Sequence, residues 1–210
     1  MWNGVEGLLM EAGILPLLEA PSIDPLEVVV HRIRAGELDA FEDLVALSQQ
    51  RILGVAWRIL GDRDLARDAA QETYLRVFRS LASFRLGERF EAWMIRIAVH
   101  VCYDLARRRG PRPVAAQILE TLEDPAAPLH AEEAVLLDQR RALIRHALQT
   151  LPEGERTALI LRDLEGLPTE EVARILGVRS VTIRSQVASA RSKVQTYYHR
   201  LLNRTHGGRP

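Results

Sequence analysis

Arg96, His100, Tyr103 and Arg107 follow one another at spacings of four, three and four, which sets a cation, an imidazole, an aromatic ring and a second cation along one side of a helix. Guanidinium groups neutralise phosphates and rings stack on unpaired bases, so this order of side chains suits a single strand of nucleic acid. An ordinary exposed helix face has the same pattern.

A second set stands near the end of the chain. From Val172 to Pro210 there is no Asp or Glu, while Arg174, Arg179, Arg184, Arg191, Lys193, Arg200, Arg204 and Arg209 are all basic. That is an electrostatic footprint for phosphate. Within this run Ile183, Val187, Ala190 and Val194 recur at helical spacing as a core stripe, and Val181, Ser185, Ala188, Ser189 and Ser192 fall opposite it, flanked by Thr182 and Arg184. A small, polar helix face of this kind fits a major groove. The plain alternative is a helical hairpin with a solvated basic face; the corner glycine Gly177 and the acid-free run argue against it together.

A third set, Asp68, Gln71, Glu72 and Leu75, sits at i, i+3, i+4 and i+7 and forms a polar stripe with one leucine in it. A docking surface and a solvated face both read this way. Catalytic chemistry has no comparable signature. His31, His100, His130, His146, His199 and His206 are scattered without metal-ligand spacing, and there is no phosphate loop or nucleophile elbow. The single cysteine, Cys102, reads as core packing; it has no second thiol for a disulfide or a zinc site, which fits a reducing compartment with the cytoplasm as the default.

The elements that must position these sets are helices. Asp24-Pro25 is a helix start and Gly36 a stop; Asp39 opens a long helix whose Phe41, Leu44, Val45, Ser48, Ile52, Val55, Ala56 and Ile59 face inward, and Gly61 ends it. Asp62 or Asp64 caps a third helix buried through Ala66, Ala69, Ala70, Thr73, Tyr74, Val77 and Leu81. A loop from Ser83 to Arg89 leads to a fourth helix packed through Phe90, Trp93, Met94, Ile97, Val101 and Leu105, which Gly110, Pro111 and Pro113 terminate. After an acidic, proline-rich stretch from Glu120 to Pro128, one helix runs to about Gln149 and a second from Leu151-Pro152-Glu153 to Gly166. Two more then meet at Gly177, the first with Thr169 as its cap. The helices ahead of that corner are the scaffold of a helix-turn-helix.

These readings give an all-α chain of two small helical domains joined by a flexible linker, which 210 residues with 47% hydrophobic content can support. The expected divisions are an N-terminal extension over 1–23, a first bundle over 24–109, a linker over 110–129, a second domain over 130–203 and a tail over 204–210. Formal net charge is zero, from 28 basic and 28 acidic residues, but the charge is segregated, acidic in the middle and basic at the end. No run reaches the roughly 18 apolar residues of a membrane span, and the apolar N-terminus lacks the basic start of an export signal. Residues 1–23 read as a tail, as a docking segment or as a piece translated from an upstream start.

The stretches FEDLVALSQQRILGVAWRILGDRDLARDAAQETYLRVFRSL, RFEAWMIRIAVHVCYDLARRR and LPEGERTALILRDLEGLPTEEVARILGVRSVTIRSQVASARSKV stand in the order and spacing of regions 2 and 4 of a sigma-70 family initiation factor, and the chain resembles the small extracytoplasmic function group of that family. The resemblance implies a transcription initiation factor that binds core RNA polymerase, places it on promoters and aids melting, with no enzymatic step, cofactor or small-molecule substrate of its own. By the same resemblance Asp68, Gln71, Glu72 and Leu75 dock on the clamp helices of the largest catalytic subunit. Phe84, Arg85, Arg96, His100, Tyr103 and Arg107 hold unpaired bases of the downstream (-10) element. Arg179, Ser180, Thr182, Arg184, Ser185, Ala188, Ser189 and Arg191 meet the upstream (-35) element as duplex, and an anti-sigma factor sequesters the chain by wedging between the bundles. The sequence departs from the family at His100, where asparagine is common, and at Gln186, Ala188 and Ser189, where bulkier or basic residues are frequent. Fewer side chains are left to grip guanine, so more discrimination falls to Arg184, to Ala188 against thymine methyls and to DNA shape. The competing function is a free-standing helix-turn-helix regulator whose first bundle senses a ligand or dimerises.

Overall fold

The computed structural model describes residues 24–85, 87–110 and 142–206, with only the backbone described over 201–206. The expectations for the N-terminal extension, for the linker, for a helix resuming near His130 and for the last few residues lie outside that set. Among the described residues the structure is helical without a strand, and it falls into two compact units, residues 24–110 and residues 142–206.

The first unit holds α1 (Pro25–Arg34), α2 (Ala40–Leu60), α3 (Arg63–Ser80), a 3-10 turn (Leu81–Ser83) and α4 (Phe90–Arg109). The Asp24 carboxylate accepts the Leu26 amide at 2.9 Å and proline occupies the first turn, so α1 starts where the sequence places it. Gly61 ends α2 at φ 67°, a conformation in which any Cβ is strained, and the chain turns at once into α3. Of the two candidate caps for α3, Asp62 is the one used. Its carboxylate accepts the Leu65 amide at 2.9 Å and is buried against the guanidinium of Arg109, while Asp64 pairs with Arg67 at the surface.

Helix α2 is the centre of this unit, packing on α1, α3 and α4, while α4 packs on α2 and α3 and only touches α1. Helix α4 is buried more widely than one stripe: Ile95, Ala98, Val99 and Cys102 are interior along with Phe90, Met94 and Val101, whereas Trp93, Ile97 and Leu105 are only half-buried. Helix α2 keeps its expected face, with Leu44, Ser48, Ile52, Val55, Ala56 and Ile59 all buried. Ser48 tolerates that position because its hydroxyl donates to the Leu44 carbonyl at 2.6 Å and meets the Tyr74 hydroxyl at 2.9 Å. Tyr74 and Ala70 are correspondingly half-buried, not interior. Burial of Cys102 pushes its thiol up to about 12, the behaviour of an inert core residue.

The second unit holds α5 (residues 142–149), α6 (Glu153–Leu159, continued as a π-helical segment over Ile160–Leu164), α7 (Thr169–Leu176) and α8 (Ser180–His206). The widening of α6 was not legible in its apolar spacing, which read as regular helix through to Gly166. Helix α7 is capped one residue earlier than expected and starts at Thr169 itself. Pro168 is the cap and its carbonyl accepts from Glu171 and Val172, which places Thr169 inside the first turn with no capping bond. Gly177 closes α7 at φ 66° and α8 begins three residues later. Helix α8 packs on both α6 and α7.

Candidate nucleic-acid interfaces

On α4 the expected line is present. His100 and Arg107 are exposed, and Arg96 and Tyr103 are half-buried beside them. The His100 ring meets the Arg96 carbonyl through Nδ1 at 2.8 Å, and since a carbonyl only accepts, Nδ1 is the donor in this contact. The Nε of Arg96 is buried without a hydrogen-bond partner. Beside this line runs a shallow cleft between α3 and α4, lined by Arg76, Arg79, Ser80, Ile97 and His100, so Ile97 serves a surface and not the core. Arg76 is held by Glu72 at 2.8 Å and Asp104 at 3.1 Å, and these bonds, Glu72 first, raise its already high affinity for the proton.

Phe84 does not join that line. It is buried, edge-on to Phe90 with ring centroids 5.1 Å apart and tilted against Trp93 at 5.3 Å, so its ring is part of the core and has no face left for a base. The carbonyl of Phe84 accepts from Arg34, which ties the loop back to α1. Arg85, the next residue, is exposed. The sequence pattern missed this division because an aromatic at a loop entrance looks the same whether it faces in or out.

Asp68 and Gln71 on α3 are exposed, and Glu72 is partly covered by its pairing with Arg76. Leu75 is 51% exposed, and the structure adds a neighbour the sequence reading passed over: Phe78, one turn on, is 52% exposed and rests edge-on against Phe41 at 5.1 Å. The polar stripe therefore ends in an apolar patch. Its signal was available, since Phe78 extends the same three-four spacing.

Helix α8 buries Ile183, Val187, Ala190 and Val194 and turns Val181, Arg184, Ser185, Ala188 and Ser192 to solvent. Arg179 is exposed just ahead of the helix, where its carbonyl accepts the amides of Thr182 and Ile183; Ser180 and Thr182 are partly covered. Two expected contacts lie elsewhere. Arg191 reaches back to α6, where its guanidinium grips Asp163 with both arms at 2.7 and 2.6 Å, and that carboxylate is only 8% exposed. The Ser189 hydroxyl donates to Glu155 at 3.2 Å, and Lys193 meets both oxygens of the same carboxylate at 2.8 Å. The acid-free run is thus not an unopposed positive surface, because α6 supplies two carboxylates to it. Asp163 and Glu155 lie 28 and 38 residues from the cations they hold, a separation at which no local pattern could reveal the pairing.

A family model for sigma-70 region 2 matches residues 39–112, and one for sigma-70 region 4 matches residues 141–200. The chain belongs to the sigma-70 family. Among its relatives, the RNA polymerase sigma-H factor of Pseudomonas aeruginosa is 35% identical over 184 residues, covering 83% of this chain and 94% of that one. The ECF RNA polymerase sigma-E factor of Escherichia coli K12 is 30% identical over 185 residues, with 85% and 96% covered. The structure is also similar to that of the sigma factor RpoE of Bartonella quintana, solved in complex with the anti-sigma factor NepR, at a TM-score of 0.60 and 26% identity over 76% of this chain and 96% of that one. These likenesses place the sigma factor in the extracytoplasmic function group, so it is a transcription initiation factor that binds core RNA polymerase and directs it to promoters.

The first unit is accordingly the region 2 bundle and the second the region 4 helix-turn-helix. Helix α1 lies ahead of the matched span, yet Leu26, Val29, Val30 and Ile33 bury it in the region 2 bundle. Among the described residues no group of three His, Cys, Asp or Glu is placed to hold a metal ion, and no helix is long and apolar enough to cross a membrane.

Proposed function

We propose that the sigma factor uses three separate surfaces. Asp68, Gln71, Glu72 and Leu75, with Phe78 beside them, dock on the clamp helices of the largest polymerase subunit. Arg85, Arg96, His100, Tyr103 and Arg107 hold the unpaired strand of the downstream element. Arg179, Ser180, Thr182, Arg184, Ser185 and Ala188 meet the upstream element as duplex. The observation that carries the third assignment is the division of α8 into a buried stripe and an opposite face on which only Arg184 is long and charged. Small neighbours let that face enter a groove, and one arginine is enough to read a guanine through its paired acceptors. Ser189 and Arg191 are left out of the reading face because they are engaged with α6.

Each unit by itself grips DNA weakly, and the polymerase fixes the two at the separation of the promoter elements, so two modest affinities act as one. Extruding a base costs a few kcal/mol, which the stacking and phosphate contacts of α4 offset. The chain itself makes and breaks no bond, and its partner places it in the cytoplasm. As the Bartonella quintana relative is bound by an anti-sigma factor, this chain is also held in check by one until a signal releases it. Run-off transcription with purified core enzyme and a library of promoters tests the whole reading. Start-site selection that depends on the added chain is the expected result, and its absence overturns the proposal. Tight promoter binding without polymerase would instead mark a free-standing regulator.

A further inference from the structure

Both flanks of α8 are tied to the same scaffold helix. At about 100° per residue around a helix, Arg191 lies on one side of the buried stripe, and Ser189 and Lys193 lie on the other. Asp163 takes the first and Glu155 takes the second pair. At the Glu155 end the two helices are close: a Cβ on Gly154 would stand 3.0 Å from the Gln186 side-chain nitrogen. Arg191 is also seven residues from Arg184 and shares its edge of the helix. Without Asp163, a second guanidinium would flank the reading face two turns beyond the first.

We propose that Asp163 and Glu155 are specificity-determining positioning residues. They fix the rotation of α8 and withhold Arg191 and Lys193 from DNA phosphate, so that binding depends on the exposed face of Val181, Arg184, Ser185 and Ala188. Phosphate contacts add affinity to every sequence equally, whereas base contacts discriminate. A region 4 helix with all its cations released would therefore bind more tightly and choose less well. A fork held by both oxygens of a carboxylate that is 8% exposed is a firm restraint, because its partner cannot be solvated in exchange. The inference rests on α8 being the duplex reader.

The test uses holoenzyme reconstituted from core polymerase and the full-length chain. Two labelled promoter fragments are compared across a salt series, one with an upstream element selected from a random library and one with that element scrambled. Asp163→Asn is expected to lower the preference for the selected fragment by about three- to tenfold. It should also steepen the fall of log K with log salt by about 0.9, the value of one added phosphate contact. Glu155→Gln is expected to act in the same direction through Lys193. In the double variant D163N/R191Q the salt slope should return to that of the wild type, since the cation that added the contact is gone. Equal weakening on both fragments with an unchanged slope, together with a lower melting temperature, would make the pair merely structural and overturn the proposal. A wild-type holoenzyme that does not distinguish the fragments at all would instead remove the base-reading assignment beneath it.

Discussion

Single side chains decide which residues of each surface are available. Arg184 is exposed on α8 and no acid among the described residues holds it, whereas Arg191, two turns along the same edge, is gripped by Asp163. Truncation of the first should act on DNA and truncation of the second on packing. Arg184→Ala is expected to cost about 1–3 kcal/mol on the preferred upstream element if it reads a base; equal loss on every duplex, measured by competition, would assign it to phosphate. Phe84 and Tyr103 make the same contrast in region 2. Phe84→Ala should lower stability by about 3 kcal/mol in a denaturant melt, as removal of a packed core ring does. Tyr103→Ala should lower the melt less than Phe84→Ala does and reduce permanganate reactivity of thymines in the open complex. Undiminished reactivity would take Tyr103 out of strand capture. The sequence placed both aromatics in one site because spacing identifies a face but not which way a loop residue turns.

At the level of the helix, periodicity was a good guide to which side faces inward and a poorer one to how far each residue on it is covered. The inner face of α8 was legible residue by residue and that of α2 nearly so, with Phe41 and Val45 only half-buried, since polar neighbours mark the boundary of each stripe. In α4 the buried residues spread beyond the expected stripe to Ile95, Ala98, Val99 and Cys102, and Ile97, which lines the cleft beside Arg76, could not be told from them by its apolar character. Ends were legible where a side chain or glycine acts locally, as at Asp24, Asp62, Gly61 and Gly177, and not where a backbone carbonyl alone starts the helix, as at Pro168. The π segment of α6 was not legible, because Leu161 and Leu164 keep an ordinary three-residue spacing across it. Two outcomes follow for these elements. Asp62→Ala should destabilise region 2 by about 2 kcal/mol, losing the α3 cap and stranding Arg109, as read by thermal unfolding. The double change Asp68→Ala and Gln71→Ala on the exposed side of α3 should weaken co-purification with core polymerase while leaving the helical circular dichroism intact; unchanged recovery would disqualify the stripe as a docking surface.

For the molecule as a whole, two helical units in the order of regions 2 and 4 were legible in the chain. What stayed hidden were the contacts between α6 and α8, which set how much of a basic helix is offered to DNA. A neutral formal charge is consistent with that design, since acids within the same unit offset cations that composition counts as unopposed. The isolated chain is expected to leave no footprint on the upstream element at concentrations where the holoenzyme protects it, as gel-shift and nuclease protection would register. Comparable protection by the chain alone would show that polymerase is not needed to align the two readers. One feature of region 2 bears on how such alignment is transmitted. The chain leaves that bundle at Gly110, directly after the arginine locked onto the capping carboxylate of α3. Any pull arriving along the backbone from region 4 is thus received by an anchored joint between two helices, and a tug that would peel away a loose helix end is borne by the body of the bundle.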